Sequence, residues 1–383
     1  MIDSELSEPG HASREAVKFV HCSDIHLGAS FSMLPRSAAD RRRVDQRQTF
    51  ARIVDLALQH TGKADMMFIS GDLFDSSRPS PRDVAFVRSQ LQRLADGNVQ
   101  TFIIPGNHDH CREGGFWLKA DFPCTKLFTK PAFECCEAAN MGISVCGIAP
   151  DISQPSRNQI SLFDAELPAG NSVLLFHGSW LNFGQATADC HPFTTEDLAE
   201  LPFSYIALGH YHALRTVEGI RPVAMYPGAP DAIGFSKNDL GDRYVVVGTI
   251  DSRGRVDAKP HKINLVSHLA QEIDCTAETE QSLRRRLEEM LSAEIYAQIQ
   301  LAGNPPAEVI TAAEHLADEL QQFCSYLDIS TSFGSVGEVP ADNTYMTRFV
   351  QIMNDRIQAA SEDERPLLSK ALELGVRAFM RSE

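Results

Sequence analysis

Five short clusters of metal-seeking side chains punctuate the chain between Asp24 and His212: Asp24-Ile25-His26, Gly71-Asp72, Gly106-Asn107-His108-Asp109, a single His177, and Gly209-His210-Tyr211-His212. Carboxylates, imidazoles and an amide carbonyl, with no thiolate among them, form an N/O donor set suited to divalent ions such as Mn²⁺, Fe²⁺ or Zn²⁺. Brought together, such groups support metal-assisted hydrolysis. Taken singly each cluster is weak, because Asp-x-His arises by chance and a lone histidine after a strand is more often structural than a ligand. Their joint order carries the information. Competing chemistries leave no trace: there is no G-x-S-x-G nucleophile elbow, no G-x-x-x-x-G-K-[ST] phosphate loop and no G-x-G-x-x-G fingerprint.

The elements that must position these residues are legible around them. Short apolar, β-branched runs cover 17–20, 66–69, 101–104, 143–145, 173–176, 205–208, 223–226 and 244–250, and all five clusters stand just after such a run. Between the first two runs Phe50, Ile53, Val54, Ala57 and Leu58 fall on one helical face. Between the second and third, Pro81 opens a helix, Val84, Val87, Leu91 and Leu94 form its stripe, and Gly97 ends it. Strand, helix, strand, helix, strand predicts parallel pairing in an α/β layer architecture. The carboxyl rim of such a sheet is where ligands bind, so residues far apart in sequence converge there.

The chain has 383 residues, which argues for more than one domain. Residues 1–16 mix charges with no apolar block and are expected to form a flexible N-terminus without a secretory signal. No apolar run approaches the length of a membrane helix, so the expected location is the cytoplasm. The division expected is a catalytic domain over 17–266, a small α+β domain over 267–333, a linker over 334–343 and C-terminal helices over 344–383. The apolar patterns Tyr345, Phe349, Ile352, Met353 and Leu367, Leu368, Ala371, Leu372 in those helices mark faces that either pack together or hold a partner. The nine cysteines form no C-x-x-C pair and are read as reduced thiols, the adjacent Cys135 and Cys136 as ordinary small residues.

A net charge of -16 argues against a strongly phosphate-binding surface. Ser267 to Glu383 holds 20 acidic and 9 basic residues, so most of the surplus lies in the C-terminal part. Basic residues follow two clusters: Arg36, Arg41, Arg42, Arg43, Arg47 and Arg52, then Arg78 and Arg82. A solvated helix start balanced by Asp40 and Asp45 explains the first group at least as well as a phosphate track.

In their order, the five clusters resemble the calcineurin-type metallophosphoesterase superfamily. More narrowly, His21-Cys22-Ser23-Asp24-Ile25-His26-Leu27-Gly28, Ser70-Gly71-Asp72-Leu73-Phe74-Asp75, Ala207-Leu208-Gly209-His210-Tyr211-His212 and Tyr226-Pro227-Gly228-Ala229-Pro230 resemble the bacterial SbcD and YhaO group of DNA-repair exonucleases. The resemblance implies a β-sandwich flanked by helices, with a small α+β capping domain and C-terminal helices. It implies a two-metal centre, most often Mn²⁺, in which Asp24, His26 and His212 hold one ion, Asn107, His177 and His210 the other, and Asp72 bridges them. His108 would then face the phosphate and assist the leaving oxygen, with Asp109 orienting its imidazole. DNA, an SbcC-like ATPase subunit and a second copy of the chain are the partners it implies. One departure is Asp75, where archaeal and eukaryotic members carry histidine and bacterial members carry aspartate. Two rival readings stand beside this one: a phosphodiesterase or phosphatase for small molecules, and an interaction protein that keeps the fold without turnover.

Overall fold

The computed structural model describes residues 16–59, 62–164, 167, 171–181, 190–333, 344–361 and 364–380. Most of the expected N-terminal tail and the whole expected linker 334–343 lie outside these residues. By contact density the chain divides into two units, Met1–Ser267 and His268–Glu383.

The first unit contains β1 (Ala16–Cys22), α1 (Arg36–Gln59), β2 (Met66–Ser70), α2 (Pro81–Asp96), β3 (Gln100–Ile104), β4 (Thr125–Leu127), β5 (Glu134–Glu137), β6 (Ile143–Gly147), β7 (Asn171–His177), α3 (Thr195–Ala199), β8 (Tyr205–Gly209), β9 (Arg215–Val217), β10 (Val223–Tyr226), β11 (Tyr244–Asp251) and β12 (Val256–Lys262). Two six-stranded sheets result, ordered β12-β11-β1-β2-β3-β4 and β5-β6-β7-β8-β10-β9. β1, β2, β3 and β4 run parallel, as do β6, β7, β8 and β10, while β11, β12, β5 and β9 close the edges antiparallel.

Period-two alternation explains why the sheets stack. Val17 and Phe19 of β1, Met66 and Phe68 of β2 and Phe102 of β3 point inward, where Val173, Leu175, Tyr205 and Ala207 of the second sheet meet them. The intervening Val20, Met67, Ile69 and Ile103 face outward and are covered by Phe50, Ile53 and Val54 of α1 and Val87, Leu91 and Leu94 of α2. On the far side Leu174, Phe176, Ile206 and Leu208 pack with Phe193, Leu198 and Phe203. Burial on both faces makes these strands continuous apolar runs, and hence visible in the sequence. The short or polar edge strands β4, β5, β9 and β12 lack that signature.

Helix α2 starts as its sequence dictates. Ser80 accepts the Asp83 N–H at 3.1 Å and Pro81 occupies the first turn, where its missing N–H costs nothing. Helix α1 reaches further back than its apolar stripe, to Arg36. Its early arginines are engaged within the protein: Arg42 is fully buried with Asp231 at 2.6 Å, Arg43 meets Asp40 at 2.5 Å and Arg47 meets Asp83 at 2.7 Å.

The cysteine reading needs correction. β5 and β6 pair so that Cys135 stands directly opposite Cys146, and a disulfide joins them. Directly opposed residues of an antiparallel pair are near neighbours, a relation that spacing in the sequence does not reveal. Seven other cysteines are free thiols.

The second unit pairs a three-stranded sheet, β13 (Ser267–Asp274), β14 (Ile295–Gly303) and β15 (Tyr326–Phe333), with α4 (Glu280–Met290) and α5 (Ala307–Leu320). Ile273, Ala297, Ile299, Leu301 and Leu327 meet Leu283, Leu287, Val309, Leu316 and Leu320 in its core. The last helices, α6 (Thr344–Ala359) and α7 (Arg365–Met380), pack on each other through Val350, Met353 and Leu372, with Phe349, Ile357 and Leu368 against them. That contact takes up much of the apolar pattern, and Ile352 and Leu367 remain exposed.

The Arg42–Asp231 pair ties α1 to the segment after β10. Burial holds the Asp231 pKa above the usual carboxylate value even with the Arg42 charge beside it. Arg42→Met should therefore cost about 3–5 kcal/mol by stranding a buried carboxylate, and the double variant Arg42→Met/Asp231→Leu should recover most of that. Urea unfolding of the three proteins measures it; a mild single variant would assign the tether to packing alone.

Candidate metal centre

All seven expected ligands stand at the carboxyl rim of the two sheets. β1 delivers Asp24 and His26, β2 Asp72 and β3 Asn107, while β7 delivers His177 and β8 His210 and His212. The first sheet thus supplies every carboxylate, and the second supplies imidazoles only.

The loops after β1 and β2 are zipped together by backbone bonds, Asp24 N–H to Gly71 O at 3.1 Å, His26 N–H to Asp72 O at 2.9 Å and Leu27 N–H to Leu73 O at 3.0 Å. This demands left-handed backbone at non-glycine residues: φ is 53° at Asp24, 50° at His26, 51° at Asp72 and 112° at His210. Such strain, clustered at one rim, is characteristic of functional sites. Close approach also requires glycine at Gly71, where φ is +93° and a Cβ would lie 2.2 Å from His177 Nδ1, and at Gly209, where it would lie 1.8 Å from the Ser70 carbonyl.

Backbone donors fix the carboxylates. His210 N–H donates to both Asp24 oxygens at 3.0 and 3.1 Å, and Ser23 Oγ donates to Asp24 Oδ2 at 2.5 Å. His108 N–H donates to Asp72 Oδ1 at 2.8 Å. Asp72 Oδ2 then sits 3.7 Å from His26 Nε2 and 3.5 Å from His177 Nε2, between the two halves of the cluster.

Two observations test whether divalent ions fit. His26 Nε2 is buried and has no hydrogen-bond partner, although its Nδ1 lies 3.2 Å from Asp75. His177 Nδ1 donates to the Ser70 carbonyl at 2.9 Å and its Nε2 lies 2.8 Å from Asn107 Oδ1, so a neutral ring would turn a lone pair on that oxygen. His210 Nδ1 approaches that same oxygen at 3.3 Å. Acceptors converge on these points, and only a proton or a cation relieves them. The groups Asp24–His26–His212 and Asp24–Asp72–His177 each keep their ligand atoms within 4.8 Å of one another. The donor set fits two divalent ions.

The titration behaviour follows from the crowding. Burial alone would lower His177, yet the Asp72 charge overrides it and lifts the pKa to about 9. Burial would raise Asp72, but His177 and His26 drive it far below the ordinary carboxylate range. Burial would also lower His26, and the Asp75 hydrogen bond with the Asp72 and Asp24 charges raises it instead.

Asp109 does not do what the sequence suggested. Its carboxylate is fully buried, accepts Gly106 N–H at 2.7 Å and Phe74 N–H at 3.1 Å, and shapes the loop rather than the His108 ring. Burial and then the Asp72 charge push its pKa up to about 7. Adjacency in sequence misled here, because successive side chains leave the loop in different directions. Two carboxylates stand near the half-exposed His108: Asp75, whose Oδ1 lies 3.9 Å from His108 Nδ1, and Asp72, which groups with His26 and His108 within 4.8 Å.

Three supporting residues escaped the sequence reading. Asp239 stands 3.5 Å from His212 Nδ1, an outer carboxylate of the kind that orients metal-bound imidazoles. Arg243 is buried and donates to the carbonyls of His212 and, at 2.9 Å, of Ala229. Cys190 lies beside His177 and His210. The Tyr226-to-Pro230 motif was visible as a match only; its Ala229 N–H donates to His212 O at 3.0 Å.

Sheets, strand-end ligands and strained turns together define a metal-dependent phosphoesterase. The model of the calcineurin-like phosphoesterase family matches residues 17–214, and the chain belongs to that family, a class of hydrolases that uses a dinuclear divalent metal centre. It is similar to the uncharacterized metallophosphoesterase YhaO of Bacillus subtilis, at 27% identity over 56% of this chain and 53% of that protein. It is also similar to the DNA double-strand break repair protein Mre11 of Saccharolobus solfataricus, at 30% identity over 56% of this chain and 55% of that one, and of Sulfolobus acidocaldarius, at 33% over 52% and 50%. The chain spans about half the length of these relatives. Among the described residues no helix is long and apolar enough to cross a membrane.

Beneath the centre, His21 is fully buried, with Nδ1 2.8 Å from Tyr205 Oη and Nε2 3.0 Å from Ser70 Oγ. Burial lowers its pKa to about 3, so it is a neutral core histidine. Its folded pKa lies below the unfolded value near 6.5, so only the unfolded chain gains a proton as the pH drops from about 6.5 toward 3. Stability present above 6.5 is lost through that window, at up to about 1.4 kcal/mol per pH unit. His21→Gln should flatten that acid slope in urea unfolding between pH 7 and 4.5, whatever its cost at pH 7. Parallel slopes for the two proteins would refute the assignment.

Proposed function

We propose that the chain is a two-metal phosphodiesterase that cleaves DNA, working in DNA repair with Mn²⁺ as its most suitable ion and Fe²⁺ or Zn²⁺ as alternatives. The observation that carries this is the position of Asp72 Oδ2, 3.7 Å from the orphaned His26 Nε2 and 3.5 Å from His177 Nε2. One carboxylate oxygen placed so can serve two cations and offset their repulsion. Asp24, His26 and His212 would hold one ion, and Asn107, His177 and His210 the other. When bound, the ions polarise phosphoryl oxygens and lower the pKa of water toward about 7.

The protein's own groups supply the rest. Asp24 and Asp72, fixed by the His210 and His108 amides, hold their lone pairs in place before any substrate arrives. His108 reaches outward from the loop beside ligand Asn107 and donates a hydrogen bond or proton to the sugar oxygen as its bond to phosphorus breaks. Asp75 lies within ion-pair distance of that ring.

DNA as substrate is supported by the repair proteins among the relatives and by the α+β unit after Ser267, for which a small-molecule phosphodiesterase has little need. Residues 267–333 would cap the nucleic acid, and the C-terminal helices would serve an SbcC-like ATPase subunit or a second copy of the chain. The negative net charge and the internally paired arginines leave the lone chain few groups for phosphate contacts. An ATPase partner would supply them.

The direct test is cleavage of labelled linear duplex DNA with Mn²⁺, Mg²⁺ or chelator, beside a bis-aryl phosphodiester. Mn²⁺-dependent cleavage of both is expected. Activity on the small diester alone would favour a small-molecule enzyme, and activity surviving chelation would refute the metal reading. DNA binding by the lone chain should fall only gently with salt, because few counterions are displaced; a steep log–log slope in a titration from low to moderate salt would contradict this.

Two variants separate binding from chemistry. Asp72→Asn should deplete both ions in elemental analysis and abolish cleavage. His108→Ala should keep both ions while losing about 10²- to 10⁴-fold in single-turnover rate. Loss of an ion in His108→Ala would make it a ligand, and an unchanged rate would remove it from the chemistry.

A further inference from the structure

The half of the centre formed by Asn107, His177 and His210 holds a group that the all-N/O description omits. Cys190 is buried at 2% exposure, and its Sγ lies 3.7 Å from the His177 carbonyl. Its sulfur, a ring nitrogen of His177 and a ring nitrogen of His210 all lie within 4.8 Å of one another. The placement is built into the fold: Ser179 N–H donates to Cys190 O at 2.7 Å and Phe193 N–H to Ser179 O at 3.0 Å. This short ladder clamps 190–193 against the end of β7, where His177 stands.

The two rings also converge on a third residue of the expected ligand set. His177 Nε2 and His210 Nδ1 both face Asn107 Oδ1, at 2.8 and 3.3 Å. These three are neutral ligands. An ion held by them would have the Asp72 charge beside it, and an Asp24 oxygen also lies within 4.8 Å of the Asp72 and His177 ligand atoms. A thiolate would add an anionic ligand to a set whose other members at this half, Asp72 apart, are neutral.

We propose that Cys190 is a thiolate ligand of the ion held by Asn107, His177 and His210, and that it makes this half of the centre select a softer ion than its neighbour does. The inference rests on the two-metal reading above. On binding, the S–H bond breaks, a sulfur–metal bond forms and the proton leaves to solvent. Thiolate favours Zn²⁺, Fe²⁺ or Co²⁺ over Mn²⁺ and Mg²⁺, so the centre becomes a mixed one with the N/O half free to hold Mn²⁺. The geometry is within reach, since a metal–sulfur and a metal–nitrogen bond laid end to end span about 4.4 Å.

The test uses the full chain loaded with Co²⁺, whose thiolate complexes absorb strongly in the near ultraviolet. Two bound Co²⁺ with a thiolate band, the band disappearing in Cys190→Ser, is the expected result, and the variant should lose about tenfold in Zn²⁺-over-Mn²⁺ preference at one site. X-ray absorption on the zinc-loaded wild type needs no variant and should find a sulfur neighbour at about 2.3 Å. Two bound ions with only nitrogen and oxygen neighbours, or a band that survives in Cys190→Ser, overturns the Cys190 assignment and leaves the two-metal reading standing. Failure to bind Co²⁺ or Zn²⁺ at all overturns both.

Discussion

The rim of this protein is organised around a buried negative charge. Asp72 is 2% exposed, has one oxygen held by a backbone amide and turns the other to the rings of His26 and His177, one from each sheet. A carboxylate so placed is costly unless positive charge stands beside it. In the protein alone that charge can only be protons on the histidines, which is why His177 is lifted while Asp72 is driven down. Divalent ions would replace those protons at the same points. The strained backbone at Asp24, His26, Asp72 and His210 and the Cβ-free positions Gly71 and Gly209 then have one common cause: donor atoms from five strands are held closer than relaxed chains would allow.

How much of this was legible depended on whether the signal was local. β1, β2, β3, β6, β7 and β8 are buried on both faces, and an apolar run of four or five residues is the direct trace of that burial. The ligand clusters were legible for the same reason, since each follows such a run. What escaped depends on pairing across the chain. Cys135 and Cys146 are neighbours only because β5 lies antiparallel to β6 in one particular register. Asp239 serves His212 from a loop beyond β10, and Asp231 serves Arg42 from a position 189 residues away. Asp109 was misread because sequence adjacency to His108 stood in for spatial adjacency.

The supporting residues divide the centre unevenly. In the Asp24–His26–His212 half, Asp75 and Asp239 stand behind His26 and His212, so two imidazoles have carboxylate neighbours. In the other half His177 leans on a neutral backbone carbonyl, and the sulfur of Cys190 comes close. Outer carboxylates raise the basicity of the imidazoles they hold, whereas a carbonyl does so less. Two sites built from similar ligands can therefore differ in strength and in preferred ion.

Charge distribution would reconcile an acidic chain with the phosphate-rich substrate proposed for it. A surface of free lysines and arginines binds nucleic acid anywhere along its length, and salt weakens that attraction. Here two of the arginines that follow the first cluster are turned to structure: Arg42 closes α1 onto Asp231, and Arg47 fixes the start of α2 through Asp83. At the metal positions, where buried carboxylates converge at a single rim, bound ions would concentrate positive charge. An enzyme arranged this way attracts a phosphodiester at the point of cleavage more than along its flanks. If DNA is the substrate, such a chain would gain little from diffuse binding and would depend on something else to hold a long polymer in place. That dependence gives an ATPase partner a physical rationale.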